Sequence, residues 1–239
     1  MIEEIPFIIC LRNTTEWFNM PIDLIEYPKG IWKNPNRTIK HAMDVWNKIT
    51  NNGDYCEHRR KMKEIGMSNL CSLKNVSMIV DITNIDSNDF IKSISGLYKD
   101  YILIPIDDDD WLSPCIYDYL VNHKGYFRWK STRFNTATGN CLVDTTMDMH
   151  PDSNSYGFSK SGIEAIDSRH RDEILKDHTK MFDFAEPKMI NEVLSIYNFH
   201  CGSISYLTNS ISKPIIKQKV PSTKEWNLNW ADPLLEKVV

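Results

Sequence analysis

Tyr101-Ile102-Leu103-Ile104-Pro105-Ile106-Asp107-Asp108-Asp109-Asp110-Trp111-Leu112-Ser113-Pro114 joins an apolar run to four aspartates and then to a helix-start signal. An uninterrupted aliphatic run describes a strand buried on both faces, the habit of parallel sheets covered by helices. Ser113-Pro114 supplies an N-cap followed by proline at the first helical position, where a missing N–H costs nothing. Pro105 removes a ladder donor, so the strand is expected to end early or bulge there. In open α/β sheets ligands bind at the carboxyl ends of parallel strands, which is where this pattern puts the aspartates.

Two more runs of the same kind lie upstream. Pro6-Phe7-Ile8-Ile9-Cys10-Leu11 stops at Arg12-Asn13-Thr14-Thr15, and Val76-Ser77-Met78-Ile79-Val80-Asp81-Ile82 leads into the loop Thr83 to Asp89, which can cap a helix from Phe90 to Tyr98. Apolar residues recur at helical spacing from Thr38 to Ile49 and from Cys56 to Leu73, with Asn51-Asn52-Gly53 between them. Strands alternating with helices predict an α/β fold with a mixed, mainly parallel sheet flanked by helices. The second half reads differently. Gly125 to Thr138 alternates aromatic and basic residues ahead of a Gly139-Asn140 turn and Cys141-Leu142-Val143, predicting antiparallel strands. A loop from Asp148 to Asn154, a short strand from Ser155 to Ser159, a helix around Gly162 to Ile174 and an amphipathic helix from Pro187 to Tyr197 follow. The tail from Lys213, with three prolines and two tryptophans, reads as an irregular surface arm. No linker composition divides the 239 residues, so one domain with halves near 1–122 and 123–239 is expected.

The 41% hydrophobic and 25% charged shares are those of an ordinary globular chain. A net charge of −4 excludes a surface devoted to nucleic-acid backbone, which needs a basic excess. No apolar run approaches the ~18 residues of a membrane span, and Met1-Ile2-Glu3-Glu4 lacks the basic start of a signal peptide, so a cytoplasmic protein is expected. Usage rich in asparagine, isoleucine and lysine suits an AT-rich genome such as that of a virus or phage, for which the compartment is the host cytoplasm. The six cysteines form no C-x-x-C pair and read as reduced thiols, and the sequons at Asn13, Asn36 and Asn75 carry no weight in that compartment.

Four adjacent carboxylates repel one another, so they are protonated, fan into water, or are neutralised by a cation. Carboxylates are hard oxygen donors, and Mg²⁺ or Mn²⁺ is typically held by one or two of them together with substrate phosphates. The bland alternative is a solvated acidic turn capping the next helix.

Ile106 to Pro114 resembles the D-x-D-D-(aromatic or aliphatic)-L-x-P segment of family 2-type GT-A glycosyltransferases, and is similar to that of rhamnosyltransferase-like members. Met67 to Leu73 with the Val76 strand, and Arg12-Asn13 after the first strand, resemble the same group over roughly residues 5 to 120. The resemblance implies a GT-A-like, Rossmann-like nucleotide-diphospho-sugar transferase fold, with a nucleotide-sugar-binding first half and an acceptor-binding second half. It implies a metal-dependent hexosyl- or deoxyhexosyltransferase using Mn²⁺ or Mg²⁺, a UDP-, GDP- or dTDP-sugar donor and a glycan or glycoconjugate acceptor. Asp107 then matches the aspartate near ribose and metal, and Asp109 the direct metal ligand. Asp108 falls within the same donor-binding run, Asp110 matches a residue that helps orient the metal or contacts the donor sugar, Asp81 the base contact and Arg12 the loop beneath the nucleotide. The chain lacks a second aspartate beside Asp81 and the glycine-rich loop after it, so the nucleotide is not named.

In such a transfer the leaving diphosphate needs charge stabilisation, and an inverting enzyme needs a base for the acceptor hydroxyl. Asp177 and His178 are the candidates, with His178 alternatively a metal ligand and Asp144, Asp148 and Asp183 in reserve. Glu186, His150 and His200 are weaker, and His200 between Phe199 and Cys201 reads as a packed histidine with one satisfied nitrogen. The cluster His58-Arg59-Arg60-Lys61-Lys63 interleaves with Glu57 and Glu64, which reads as a salt-bridged solvated helix face. Arg128, Lys130 and Arg133 are candidates for meeting phosphates, while Tyr126, Phe127 and Trp129 read as core before sugar-stacking. Rival functions are a calcium-dependent carbohydrate-binding or structural module, a metal-dependent nucleotidyltransferase, and a phosphohydrolase whose D-x-D normally lies on the first strand.

Overall fold

The computed structural model describes residues 4–12, 53–135, 140–143, 154–176, 186–200 and 228–238. Among the described residues, eight strands form one sheet: β1 (Phe7–Arg12), β2 (Val76–Asp81), β3 (Ile102–Asp107), β4 (Trp111–Leu112), β5 (Tyr126–Asn135), β6 (Asn140–Val143), β7 (Tyr156–Ser159) and β8 (Lys188–Phe199). Helices α1 (Gly53–Cys71), α2 (Ser87–Leu97), α3 (Ile116–Leu120), α4 (Lys160–Glu164), α5 (Ser168–Lys176) and α6 (Asp232–Val238) flank it. The spatial order is β2-β1-β3-β7-β5-β8-β4, with β6 paired to β5.

β1 is parallel to both β2 and β3, which makes the three expected parallel strands neighbours in one sheet. The continuous apolar character of β1 and β3 follows from having helices on both faces, while β2, at the sheet edge, is only partly buried. Phe7, Ile9 and Leu11 pack with Leu70 of α1 and with α3, while Ile8 and Cys10 pack with Ile91 and Ile94 of α2 and with Ile174 and Leu175 of α5. Each fully buried aliphatic side chain contributes about 1.5–3 kcal/mol relative to exposure. The arrangement is a mixed α/β sheet flanked by helices, compatible with a Rossmann-like fold.

β7 is antiparallel to β3 and β5, and β5 is parallel to β8, so β1, β2, β3, β5 and β8 all run in one sense. Their carboxyl ends share one edge. β3 and β4 lie four places apart in the order, which is about 19 Å in a flat sheet. The four steps from Asp107 to Trp111 span at most about 14 Å. The sheet must therefore curl, bringing β8 and β4 back toward the end of β3.

Several expectations are corrected. Pro187 to Tyr197 is not a helix but most of β8. Its register against β5 jumps from Trp129↔Ile190 to Lys130↔Val193 and Ser131↔Ser195, so extra residues in β8 shift its two-residue period into apolar spacing that imitates a helix. The segment Gly162 to Ile174 is two helices, α4 and α5, broken between Glu164 and Ser168. Trp111-Leu112 is a short strand paired with β8, which delays the next helix to Ile116, with Cys115 rather than Ser113 at the N-cap position and no side-chain capping bond. Pro105 neither ends nor bulges β3: it pairs with Cys10 in regular register, and β7 accompanies β3 only at Ile102 and Leu103, so a missing donor is tolerated beyond them. The end of the expected irregular arm is a short 3-10 turn (Asn229–Ala231) and α6. Leu234, Leu235 and Val238 there pack with Met62 and Ile65 of α1 and with Trp111, Phe134 and Ile196. The expected helix over 38–49, and the segment 213–227 of the arm, lie outside the described residues.

Candidate functional site

The chain passes from β1 to β2 on one side and returns to place β3 on the other side of β1. Neighbouring connections then diverge above the carboxyl ends of β1 and β3, the switch point at which α/β sheets open a crevice. Arg12 ends β1 and Asp107 ends β3, and the two are directly paired in register. Asp81 ends β2 at the same edge, one strand further out, where its Oδ1 accepts the Thr83 N–H at 2.9 Å.

The four aspartates form the tight turn between β3 and β4, closed by a 3.2 Å hydrogen bond from Asp110 N to Asp107 O. The turn is not left to solvent or to an external ion for its neutralisation. Arg12 Nε lies 2.8 Å from Asp107 Oδ1, and Arg12 Nη1 donates to Tyr156 Oη at 3.3 Å. Arg59 of α1 lies 3.0 Å from Asp108 and 3.3 Å from Asp109, and Lys63, one turn on, lies 3.7 Å from Asp108. His200, just beyond β8, puts Nε2 3.0 Å from Asp109 Oδ2. Asn198 completes the cage: its N–H donates to Asp110 Oδ1 and its Nδ2 to Asp109 O, both at 2.8 Å.

Burial raises the Asp109 carboxyl, but Arg59 and His200 outweigh it and bring the group down to about 2. Asp109 is thus ionised and stabilised by its partners, not destabilised by like charges. Asp110 goes the other way: burial, with Asp109 and Asp107 beside it, drives it well above the ordinary carboxylate range despite the Asn198 N–H. Burial and the neighbouring His200, at 5.0 Å between ring centroids, push His58 down to about 4.

α1 lies on the turn through one face. Arg59, Lys63, Gly66 and Asn69 recur at helical spacing, and a Cβ on Gly66 would fall 2.6 Å from Asp108 O. Asn69 acts as a strand partner for Leu112, donating from Nδ2 to its carbonyl at 3.0 Å and accepting its N–H at 2.8 Å.

No family model and no curated protein matches this chain.

Arg12, Asp81 and the whole run Asp107 to Asp110 therefore meet at one edge. Asp177 and His178, like Asp144, Asp148, His150 and Asp183, lie outside the described residues. Glu186 lines a cavity of about 370 Å³ with Lys124, Tyr126 and Lys188, near the opposite end of β5. Tyr126, Phe127 and Trp129 are core residues, Arg128 is buried, and Arg133 lies over the Tyr197 ring at 5.1 Å. Arg59 corrects the solvated-face reading of its cluster: it is only 5% exposed, while Arg60 and Glu64 form the surface pair. His200 is fully buried, as expected, and its Nε2 meets Asp109.

Within the turn, Asp108 and Asp110 are sealed, whereas the side chains of Asp107 and Asp109 retain 22% and 10% exposure. Among the described residues no three His, Cys, Asp or Glu side chains converge to hold a metal by themselves. One partly open carboxylate, Asp107, beside the nearly buried Asp109 nevertheless fits the way Mg²⁺ is bound alongside phosphate oxygens and water.

Proposed function

We propose that the chain is a metal-dependent glycosyltransferase that moves a sugar from a nucleoside-diphosphate donor to an acceptor hydroxyl, with its donor site at the Asp107–Asp110 turn. The observation that carries this reading is the placement of Arg12, Asp81, the partly open Asp107 and the nearly buried Asp109 at the carboxyl edge of β1, β2 and β3, around a topological switch point.

Asp107 and Asp109 are the residues that would hold Mn²⁺ or Mg²⁺, which when bound offsets charge developing on the departing diphosphate. Arg12 keeps Asp107 oriented, and Asp108 and Asp110 shape the turn from beneath. Asp81, two strands and roughly 10 Å from Asp107, is the base or ribose contact. Asp177 or His178 takes the proton of the acceptor hydroxyl. This assignment narrows the donor contacts of the acidic run to Asp107 and Asp109.

Incubation with UDP-, GDP- and dTDP-sugars, Mn²⁺ and a glycan mixture is expected to release the matching nucleoside diphosphate. Asp109→Asn should abolish the metal-stimulated release while the far-ultraviolet circular dichroism stays native. Full wild-type release in both Asp107→Asn and Asp109→Asn would overturn the proposal.

A further inference from the structure

Arg59 reaches the turn from α1, and its ion pair and hydrogen bond with Asp109 end on Oδ2, the oxygen that His200 also meets. A divalent cation drawn to Asp109 therefore finds one of its two oxygens already committed to a guanidinium. Two cations a few ångströms apart repel, so both cannot hold this carboxylate fully. Asn198 adds an independent sign of an unfilled position. Its Nδ2 donates to a main-chain carbonyl, which only accepts, so the amide orientation is fixed. Among the described residues the Asn198 Oδ1 then has no donor, although it is buried and its side chain is held against the acidic turn. A buried acceptor of this kind is open to a donor, a water or a cation.

Lys63 contributes the other half of the argument. It lies 3.7 Å from Asp108 with a side chain 30% exposed, so Asp108 keeps a counter-charge if Arg59 turns away. A guanidinium released from Asp109 at the mouth of a donor site has one obvious new partner, since its fork matches two phosphate oxygens at once.

Resting on the transferase reading of this turn, we propose that Arg59 is a positioning residue that reserves Asp109 in the free protein and releases it to the cation only when a nucleoside diphosphate arrives to take the guanidinium. Cation and nucleotide then bind synergistically. The free chain binds a divalent ion weakly, which keeps the turn from closing on a cation without donor.

The test is Mn²⁺ binding by the full chain, read from loss of the free-ion electron paramagnetic resonance signal, with and without UDP, GDP or dTDP. Wild type is expected to bind Mn²⁺ about tenfold or more tightly when the correct diphosphate is present, the scale of one charge acting at partly screened contact distance. Arg59→Met removes the competitor and should bind Mn²⁺ alone about tenfold more tightly than wild type, with most of the synergy gone. Arg59→Lys keeps the charge and should stay near wild type for Mn²⁺ alone. Folded Arg59→Met with wild-type Mn²⁺ affinity would overturn the proposal. If that variant does not fold, independent, additive binding of Mn²⁺ and nucleotide in wild type overturns it instead. Additivity with both ligands bound sinks only the role of Arg59, whereas absence of any Mn²⁺ or nucleotide binding removes the transferase reading with it.

Discussion

Replacing Gly66 by alanine tests how closely α1 is seated on the acidic turn. In a helix interior alanine is normally favoured over glycine by about 1 kcal/mol. Here the added Cβ would stand 2.6 Å from Asp108 O and 3.4 Å from Asp110 O, so helix and turn must separate by several tenths of an ångström. That motion acts on the Asn69–Leu112 pair and on the Arg59 ion pairs, which are anchored within one turn or two of Gly66. Overpacking of this kind costs about 1–3 kcal/mol. Against the propensity gain, the net expectation is a loss of up to about 2 kcal/mol, or several degrees in melting temperature at about 2–4 °C per kcal/mol. Gly96 in α2 is the control, because nothing lies within 4 Å of its Cβ position. Gly96→Ala should stabilise by up to about 1 kcal/mol. Both variants are to be melted side by side by circular dichroism. Equal stabilisation by the two would refute the close seating of α1, and with it the geometry given to Arg59.

Asn69→Ala leaves the buried Leu112 N–H and C=O without partners and should cost about 2–4 kcal/mol in urea unfolding, since each orphaned buried group costs about 1–3 kcal/mol; a loss under about 0.5 kcal/mol would contradict the bidentate contact. Asp172 accepts from Ser87 N, Ser87 Oγ and Lys176 Nζ, and these outweigh burial to hold its carboxyl below the ordinary value of 3.8. A depressed carboxyl contributes stability that is present above its unfolded pKa and lost as pH falls through the folded one. Asp172→Ala should therefore cost about 1 kcal/mol at pH 7, discounted for its half-exposed side chain, and less at pH 3. A penalty that grew on acidification would refute that sign.

Much of the fold was legible because burial leaves a simple mark. β1 and β3 are covered on both faces and the edge strand β2 partly so, which leaves their sequences largely apolar with boundaries that fall where charge begins. The aspartates announced a site for the same reason: four like charges at a strand end need an explanation. What the sequence hid was where the neutralising charge comes from. Arg59 and Lys63 look solvated because Glu57, Arg60 and Glu64 alternate with them, yet α1 turns one polar face inward onto the turn. A lone glycine at the same helical spacing was the available signal. β8 misled through its register shifts against β5, and α6 through its seven residues, too short to show a period. Asn198 and His200 reach the turn only because the sheet curls, a tertiary consequence that no local pattern carries.

The central claim is that the turn binds a nucleoside diphosphate through Asp107 and Asp109 with a divalent cation. Titration calorimetry with UDP, GDP and dTDP, each with and without Mn²⁺, tests it most directly. Saturable binding of one of the three is expected, dependent on Mn²⁺ and lost in Asp109→Asn. Binding of free sugar with calcium alone, or nucleotide binding indifferent to both Mn²⁺ and Asp109, would contradict it.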